Sequence, residues 1–350
     1  MLEGATHLRP PEGLPHNGPG TIGDAPFFNP AMALNRDLSV LAVEAYAKAR
    51  GRGVDFADVL AGTGARSVRI ANEVAADVQV IANDAHASAC DAVRETAARN
   101  HVEVEVSNQN AHAFLAERRF DLVDIDPFGS PMPFVDAALN ATRHNGLLFL
   151  TATDTAALSG TFKKACRRRY GAEPFHGAPW RAEAGLRILA ACGVRSAGRH
   201  DRAATPIMCV SHQHWMRVVF RVQDGRSRAD ALTKQIAGLQ VDERGAAVRG
   251  AEAGPFYWGP LHEQKFIDEI VAAADRKEMQ QDRTKLFQRE AAGAPFWVPM
   301  EHLANRFGTD MKRRDPFMAQ LPDAAPTHME HRGVRTNATM GELQAAWDAA

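Results

Sequence analysis

Residues 120–125 form an apolar run that ends in Asp126-Pro127-Phe128-Gly129-Ser130-Pro131. An acid, a proline carbonyl and an aromatic ring at the mouth of a strand suit one problem, the alkylation of an amino group on an aromatic base. The lone pair of such a nitrogen is delocalised into the ring, so it is a poor nucleophile. The Asp126 carboxylate and the Pro127 carbonyl can accept its N–H bonds and favour a pyramidal nitrogen, while Phe128 stacks on the base. Taken alone, the same tetrapeptide is equally an ordinary strand-to-loop turn, because proline and glycine punctuate loops.

Three further predicted strand ends carry ligand-type residues. Strand 54–60 runs into Ala61-Gly62-Thr63-Gly64-Ala65-Arg66, where small residues let a ligand approach the backbone. Strand 78–82 is followed by Asp84, an acid suited to the two ribose hydroxyls of an adenosine or, more simply, to capping the helix from His86. Strand 102–106 leads into Asn108-Gln109-Asn110-Ala111, which offers an amide oxygen and a backbone N–H to an adenine amino group, or else an Asn-rich turn. Glycine, acid, amide and acid at four consecutive strand ends fit S-adenosylmethionine better than NAD. The third glycine of the dinucleotide fingerprint is missing, since Ser67 and Val68 follow Arg66.

The elements that must position these groups alternate. After Phe27-Phe28-Asn29-Pro30, apolar positions 34, 38, 41, 42, 45 and 46 predict a helix to about Gly51. Helices over 67–74, 86–99, 111–117 and 133–142 then separate strands over 54–60, 78–82, 102–106, 120–125 and 147–151. That order implies an α/β fold, a doubly wound, mainly parallel sheet with ligands at the carboxyl ends of its strands. Segments 207–210 and 215–222, joined by Ser211-His212-Gln213-His214, predict an antiparallel edge hairpin of the kind that closes class I methyltransferase sheets. Residues 1–26 are rich in Pro and Gly and read as a flexible lead-in or arm. Two units are expected: 1–222, a catalytic S-adenosylmethionine-binding domain with the arm, and 223–350, a smaller α+β domain with a Trp258-Gly259-Pro260 turn and one long polar helix from 263 to about 289.

A chain of 350 residues with 45% hydrophobic and 24% charged residues is ordinary globular material. Its formal net charge of −1 excludes a nucleic-acid protein of the bulk-basic kind, so a polyanion must be held by local patches. Cysteines 90, 166, 192 and 209 lack zinc-ribbon or disulfide spacing and read as reduced thiols in a cytosol. No membrane span or signal core is visible, which predicts a soluble cytoplasmic protein. His212 and His214 have no adjacent Cys or carboxylate, so no metal is expected there, and the chemistry above needs neither ring.

The motifs F-F-N-P-A-M-A-L-N-R-D, A-G-T-G-A-R-S, A-N-D, D-I-D-P-F-G-S-P and T-A-T-D-T-A-A-L-S-G, with R-R-Y-G, Y-W-G-P-L and H-M-E-H-R-G-V-R-T-N, cover nearly the whole chain. In them the sequence resembles the archaeal-type tRNA (guanine(26)-N2)-dimethyltransferases. The resemblance implies cofactor contacts at Arg36, Arg66, Asp84, Asn110 and Ala111, a catalytic carboxylate at Asp126, and a target guanine between Phe27 and Phe128. It also implies tRNA as partner. Two positions depart from the family pattern: Asn110 stands where Asp is usual, and a Cys-His-Glu motif is replaced by Trp180-Arg181-Ala182-Glu183. With a nucleic-acid substrate, Lys163, Lys164, Arg167, Arg168 and Arg169 on a predicted helix become phosphate contacts, as do Lys312, Arg313 and Arg314 on a basic recognition helix of a winged-helix-like module. Both runs are also compatible with solvated faces. An amino-methyltransferase acting on another base, normally marked by D-P-P, and a non-catalytic RNA-binding protein of the same fold are the rival readings.

Overall fold

The structure is a computed structural model that describes residues 1–10, 26–175, 179–242 and 247–350. The chain opens with a hairpin of β1 (Leu2–Glu3) and β2 (Thr6–His7). Helix α1 (Ala33–Arg50) follows, ended by Gly51 in the left-handed region at φ 62°. Strands and helices then alternate as β3 (Val54–Asp58), α2 (Ala65–Glu73), β4 (Val78–Asn83), α3 (Ala87–Arg99), β5 (Glu105–Ser107), α4 (Ala111–Glu117), β6 (Phe120–Ile125), α5 (Val135–Ala141) and β7 (Thr142–Ala152). Beyond them come α6 (Thr155–Leu158), α7 (Lys163–Tyr170), α8 (Arg181–Gly198), β8 (Arg202–His212) and β9 (Trp215–Asp224).

The main sheet has the order β5-β4-β3-β6-β7-β9-β8. Its β3–β7 portion is parallel, and β8 and β9 add an antiparallel edge. The expected architecture is therefore the observed one. The strand order reverses between β3 and β6, and the crevice beyond the carboxyl ends of those two strands is where such sheets bind ligands. Every residue of β6 is buried, as a strand covered on both faces must be.

The first ten residues are not a free arm. Glu3 is buried and pairs with Arg36 at 2.6 Å and with Arg69 at 2.8 Å, while Thr6 Oγ1 donates to Glu73 at 2.7 Å. Two ion pairs and a hydrogen bond fix the hairpin to α1 and α2; residues 11–25 of the expected arm lie outside the described residues. Helix α8 was not expected from the sequence at all. It is buried along almost its whole length and runs close to β9, where a Cβ on Gly185 would meet the Met216 sulfur and methyl within 3 Å.

Downstream lie α9 (Arg226–Thr233), then β10 (Ile236–Val241), β11 (Ala247–Gly250) and β12 (Ala253–Tyr257), which form a three-stranded antiparallel sheet. The expected long polar helix is two, α10 (Gln264–Lys277) and α11 (Gln281–Glu290), because Glu278 and Gln280 adopt φ 52° and break the helical path. Phe266, Ile267, Ile270 and Phe287 of this pair share one apolar cluster with Leu38, Leu41, Phe56 and Val219 of the first unit. A separate small core holds α12 (Met300–Phe307), α13 (Arg314–Met318) and α14 (Met340–Ala349), next to a sheet of β13 (Val298–Pro299), β14 (Ala325–Pro326) and β15 (Gly333–Arg335). Among the described residues, positions 312–314 form no basic recognition helix. Lys312 and Arg313 sit in the connection between α12 and α13, and Arg314 begins a short helix whose second residue, Asp315, pairs with it at 3.2 Å.

Candidate active site

The strand-end crevice is lined by a network of buried charge. Asp58 ends β3, Asp124 lies within β6 and Asp126 follows it. Facing them are Arg66 from α2 and Arg217 from β9. Arg66 Nη2 pairs closely with Asp126 Oδ2, and its Nη1 donates to Asn35 Oδ1 and Ser39 Oγ, each at 2.7 Å. Arg217 pairs with Asp124. Ser67 Oγ donates to Asp58 at 2.7 Å. Burial pushes the Asp58 carboxyl up to about 7 against the pull of Arg66. Burial likewise raises Asp126, although Arg66 and Arg217 oppose it.

Above Asp126 a slot of about 40 Å³ is lined by Phe27, Asn29, Met32, Asp126, Pro127, Phe128, Thr153 and His214. Phe27 and Phe128 close it edge to face, with ring centroids 4.1 Å apart at 69°, and both rings remain exposed to solvent by more than a third. The loop below is set by Thr153, whose Oγ1 accepts the Gly129 N–H at 2.7 Å while its own N–H donates to the Gly129 carbonyl at 2.9 Å. Gly129 has φ 82°, which lets the backbone turn there.

The consecutive Asn35, Arg36 and Asp37 each serve a different partner. Asn35 binds Arg66, Asp37 pairs with Arg69 at 2.7 Å, and Arg36 donates to both Glu3 oxygens at 2.6 Å and to the Asn29 carbonyl at 3.1 Å. Arg36 and Arg66, expected as cofactor contacts, are therefore engaged by protein carboxylates in this structure: Arg36 braces the Phe28-Asn29 segment, and Arg66 is the counter-ion of Asp126.

The other expected ligand residues lie around the same crevice. Asp84 Oδ2 accepts the Gly62 N–H and Oδ1 accepts the His86 N–H, both at 3.0 Å, so the acid spans the glycine turn and the start of α3. Gly62 and Gly64 take φ 53° and 74°, and a Cβ on Gly62 would meet the Phe27 carbonyl oxygen at 2.7 Å. Asn110 caps α4, its Oδ1 accepting the His112 N–H at 3.0 Å, with one lone pair left for a ligand, and Ala111 starts that helix. On α1, beside Arg66, the buried Asn35 Nδ2 has no partner. An acid on a glycine turn, a capped helix N-terminus and an orphaned buried donor fit S-adenosylmethionine.

The basic helix α7 presents Lys163, Lys164, Arg167, Arg168 and Arg169 to solvent. Arg167 pairs with Glu173 and Arg169 with Asp154, while no ion pair engages Lys163, Lys164 or Arg168 among the described residues. The Trp180-Glu183 segment is structural. Trp180 Nε1 donates to the Trp297 carbonyl at 2.6 Å, and buried Glu183 accepts from Arg187, Arg335 and the Phe296 N–H at 2.8 to 2.9 Å.

A second histidine cluster went unnoticed in the sequence because its members are far apart. His262, Glu290 and His328 bring their ligand-type atoms within 4.8 Å of one another. His328 Nε2 accepts the Ser211 N–H at 3.2 Å, so Nδ1 carries the proton it shares with Glu290 Oε2 at 2.5 Å and has no lone pair for a cation. Glu290 Oε1 is held by Arg335 at 2.7 Å. Glu290 and His328 are thus locked together by hydrogen bonds, while both ring nitrogens of buried His262 find no hydrogen-bond partner among the described residues.

Residues 21–348 match the family model described as N2,N2-dimethylguanosine tRNA methyltransferase. The chain is 34% identical to the tRNA (guanine(26)-N(2))-dimethyltransferase of Methanothermobacter thermautotrophicus, covering 91% of each chain. It is 30% identical to the Aquifex aeolicus tRNA (guanine(26)-N(2)/guanine(27)-N(2))-dimethyltransferase, over 91% of this chain and 88% of that one. The structure of Trm1 from Pyrococcus horikoshii in complex with S-adenosyl-L-methionine superposes with a TM-score of 0.86 at 26% identity, over 99% of this chain and 98% of that one.

Proposed function

The chain belongs to the N2,N2-dimethylguanosine tRNA methyltransferase family, and on that premise we propose that it forms N2-methyl- and N2,N2-dimethylguanine at position 26 of tRNA. The observation that carries the reading is the aromatic slot over Asp126 at the switch point of the sheet. S-adenosylmethionine, when bound, supplies an electrophilic methyl group. Asp84 and the Gly62 turn hold its ribose, and Asn110 with the Ala111 N–H reads the adenine. Phe27 and Phe128 part to take the flipped guanine between them, since centroids at 4.1 Å leave no room for a third ring. The Pro127 carbonyl and the Asp126 carboxylate then accept the N–H bonds of the exocyclic amine, and Asp126 takes the proton that methylation releases.

Residues 1–222 carry this machinery and residues 223–350 contribute to holding tRNA. Lys163, Lys164 and Arg168 are the phosphate-binding side chains best placed on α7, and Lys312 and Arg313 offer a second patch from the connection after α12. Replacing the three α7 residues with alanine should lower tRNA affinity and reduce its log–log salt slope by about 0.9 for each phosphate no longer neutralised, with cofactor affinity unchanged. The deciding experiment is mass-spectrometric nucleoside analysis of unmodified tRNA incubated with the protein and S-adenosylmethionine. Methylation of a different base, or none, would overturn the reading. A tRNA substrate puts the site of action in the cytoplasm, and no helix among the described residues is long and apolar enough to cross a membrane.

A further inference from the structure

The slot contains one ionisable group that the reading above leaves idle. His214, in the turn joining β8 to β9, lines it beside Asp126, Asn29 and Thr153. Asn29 Oδ1 accepts the Ala31 N–H at 2.9 Å, which turns the amide nitrogen toward His214, with 3.3 Å between Nδ2 and Nε2. An amide nitrogen only donates, so His214 Nε2 holds a lone pair and the ring proton sits on Nδ1. The neutral imidazole is half-buried, whereas the Asp126 side chain is only 13% exposed.

Each methylation of an exocyclic amine releases one proton, and a second methylation of the same nitrogen requires Asp126 to be an acceptor again. Arg66, its closest partner, is a donor only and cannot carry the proton away. Among the side chains lining the slot, Phe27, Met32, Pro127 and Phe128 hold no exchangeable acceptor for it, and Thr153 Oγ1 already accepts from Gly129. An imidazole with a lone pair is the remaining group able to pick up a proton at neutral pH. We propose that His214 Nε2 receives the proton from Asp126 through a water in the slot they share after each methyl transfer and hands it to solvent, an inference that rests on Asp126 being the primary acceptor.

The balance is closed. The amine lone pair forms the N–C bond as the S–C bond breaks with its electrons left on sulfur. The N–H proton passes to an Asp126 oxygen and, because no carboxylate oxygen lies within direct hydrogen-bond reach of the ring, through one bridging water to Nε2, which gives up its Asn29 contact; the resulting imidazolium loses its Nδ1 proton to solvent. Burial holds the His214 pKa below its ordinary value while Asp126 pulls it up. His214 in turn faces His212, the last residue of β8, which also faces Arg283 of α11 and His328.

Two measurements on the full chain test the relay. In the cofactor-free protein, histidine-selective NMR, with His214 assigned by its loss in His214→Gln, should show its titration moving to lower pH in Asp126→Asn; an unmoved titration overturns the proposal. With wild-type methylation of guanine N2 established first, His214→Gln, which keeps an acceptor for Asn29, should slow the second methylation on the order of tenfold at neutral pH with tRNA affinity intact. In His214→Ala, added imidazole should restore the rate. Wild-type rates in His214→Gln, or a loss in His214→Ala that imidazole does not rescue, would make His214 a packing residue. Absence of guanine methylation by the wild type would instead sink the functional reading itself.

Discussion

Two buried charge networks in this molecule use the same residue types to opposite ends. At the strand ends Asp58, Asp124 and Asp126 face Arg66 and Arg217, and burial raises the carboxyls of Asp58 and Asp126. Around α8, Glu183 and Glu290 are supplied by Arg187, Arg335 and His328, with the Phe296 N–H and the Thr327 hydroxyl added, and both carboxyls lie below their ordinary range despite complete burial. Where acids outnumber their cations a proton can come and go. Where cations at least match the acids in number, charge is fixed and the network acts as a staple between α8, α11 and β15.

Removing a cation from the staple should have the largest effect. Arg335→Met leaves Glu183 and Glu290 short of a shared partner and should cost about 3–5 kcal/mol of stability in urea titrations, with turnover of the folded fraction preserved. A small loss would mean that the two networks are not distinct in kind.

At the strand ends the outcome should be reversed. Asp126→Asn should lower the methylation rate on the order of a hundredfold or more while cofactor affinity stays intact, as rapid-quench kinetics and calorimetry can show. Wild-type turnover would remove Asp126 from the chemistry.

Asp84→Ala separates binding from catalysis within the crevice. Loss of its charge-assisted hydrogen bonds should weaken S-adenosylmethionine by roughly 1.5–3 kcal/mol with little change in rate at saturation. Unchanged affinity in calorimetry would leave Asp84 as a brace for Gly62 and α3.

The subtlest test concerns Asp58. Its folded pKa of about 7 exceeds the ordinary 3.8, so the folded state holds the proton more tightly and stability falls as pH rises through that interval. Asp58→Asn should therefore gain on the wild type between about pH 4 and pH 7 and hold a constant advantage above, at most about 4 kcal/mol. Parallel melting curves at about pH 5 and pH 8 would show the gap widening, and a pH-independent gap would refute the assignment.

Much of the crevice could be read from the sequence because its residues sit at the ends of short apolar strands, where position along the chain dictates position in space. Asp84, Asn110 and Asp126 are of this kind. Pairings across the fold leave no such trace: Arg66 and Asp126 are 60 residues apart, and His214 lies 185 from Asn29. Helix α8 escaped notice because it is buried on nearly every side, so it has no polar face to give its apolar residues a period. The N-terminal hairpin was hidden for a different reason. Its strands are two residues each, and Glu3 holds it down through charge instead of hydrophobic pattern.

The shared packing of α10 and α11 with α1 bears on how this enzyme can be divided. Phe266, Ile267, Ile270 and Phe287 complete the core that α1 and β3 begin, so a cut after residue 222 would bare an apolar face of the catalytic half. The segments before and after residue 222 are therefore not cassettes that recombination could exchange one for another. Melting should be a single cooperative event, because the Arg335 staple ties the small core around β15 to α8 and α11.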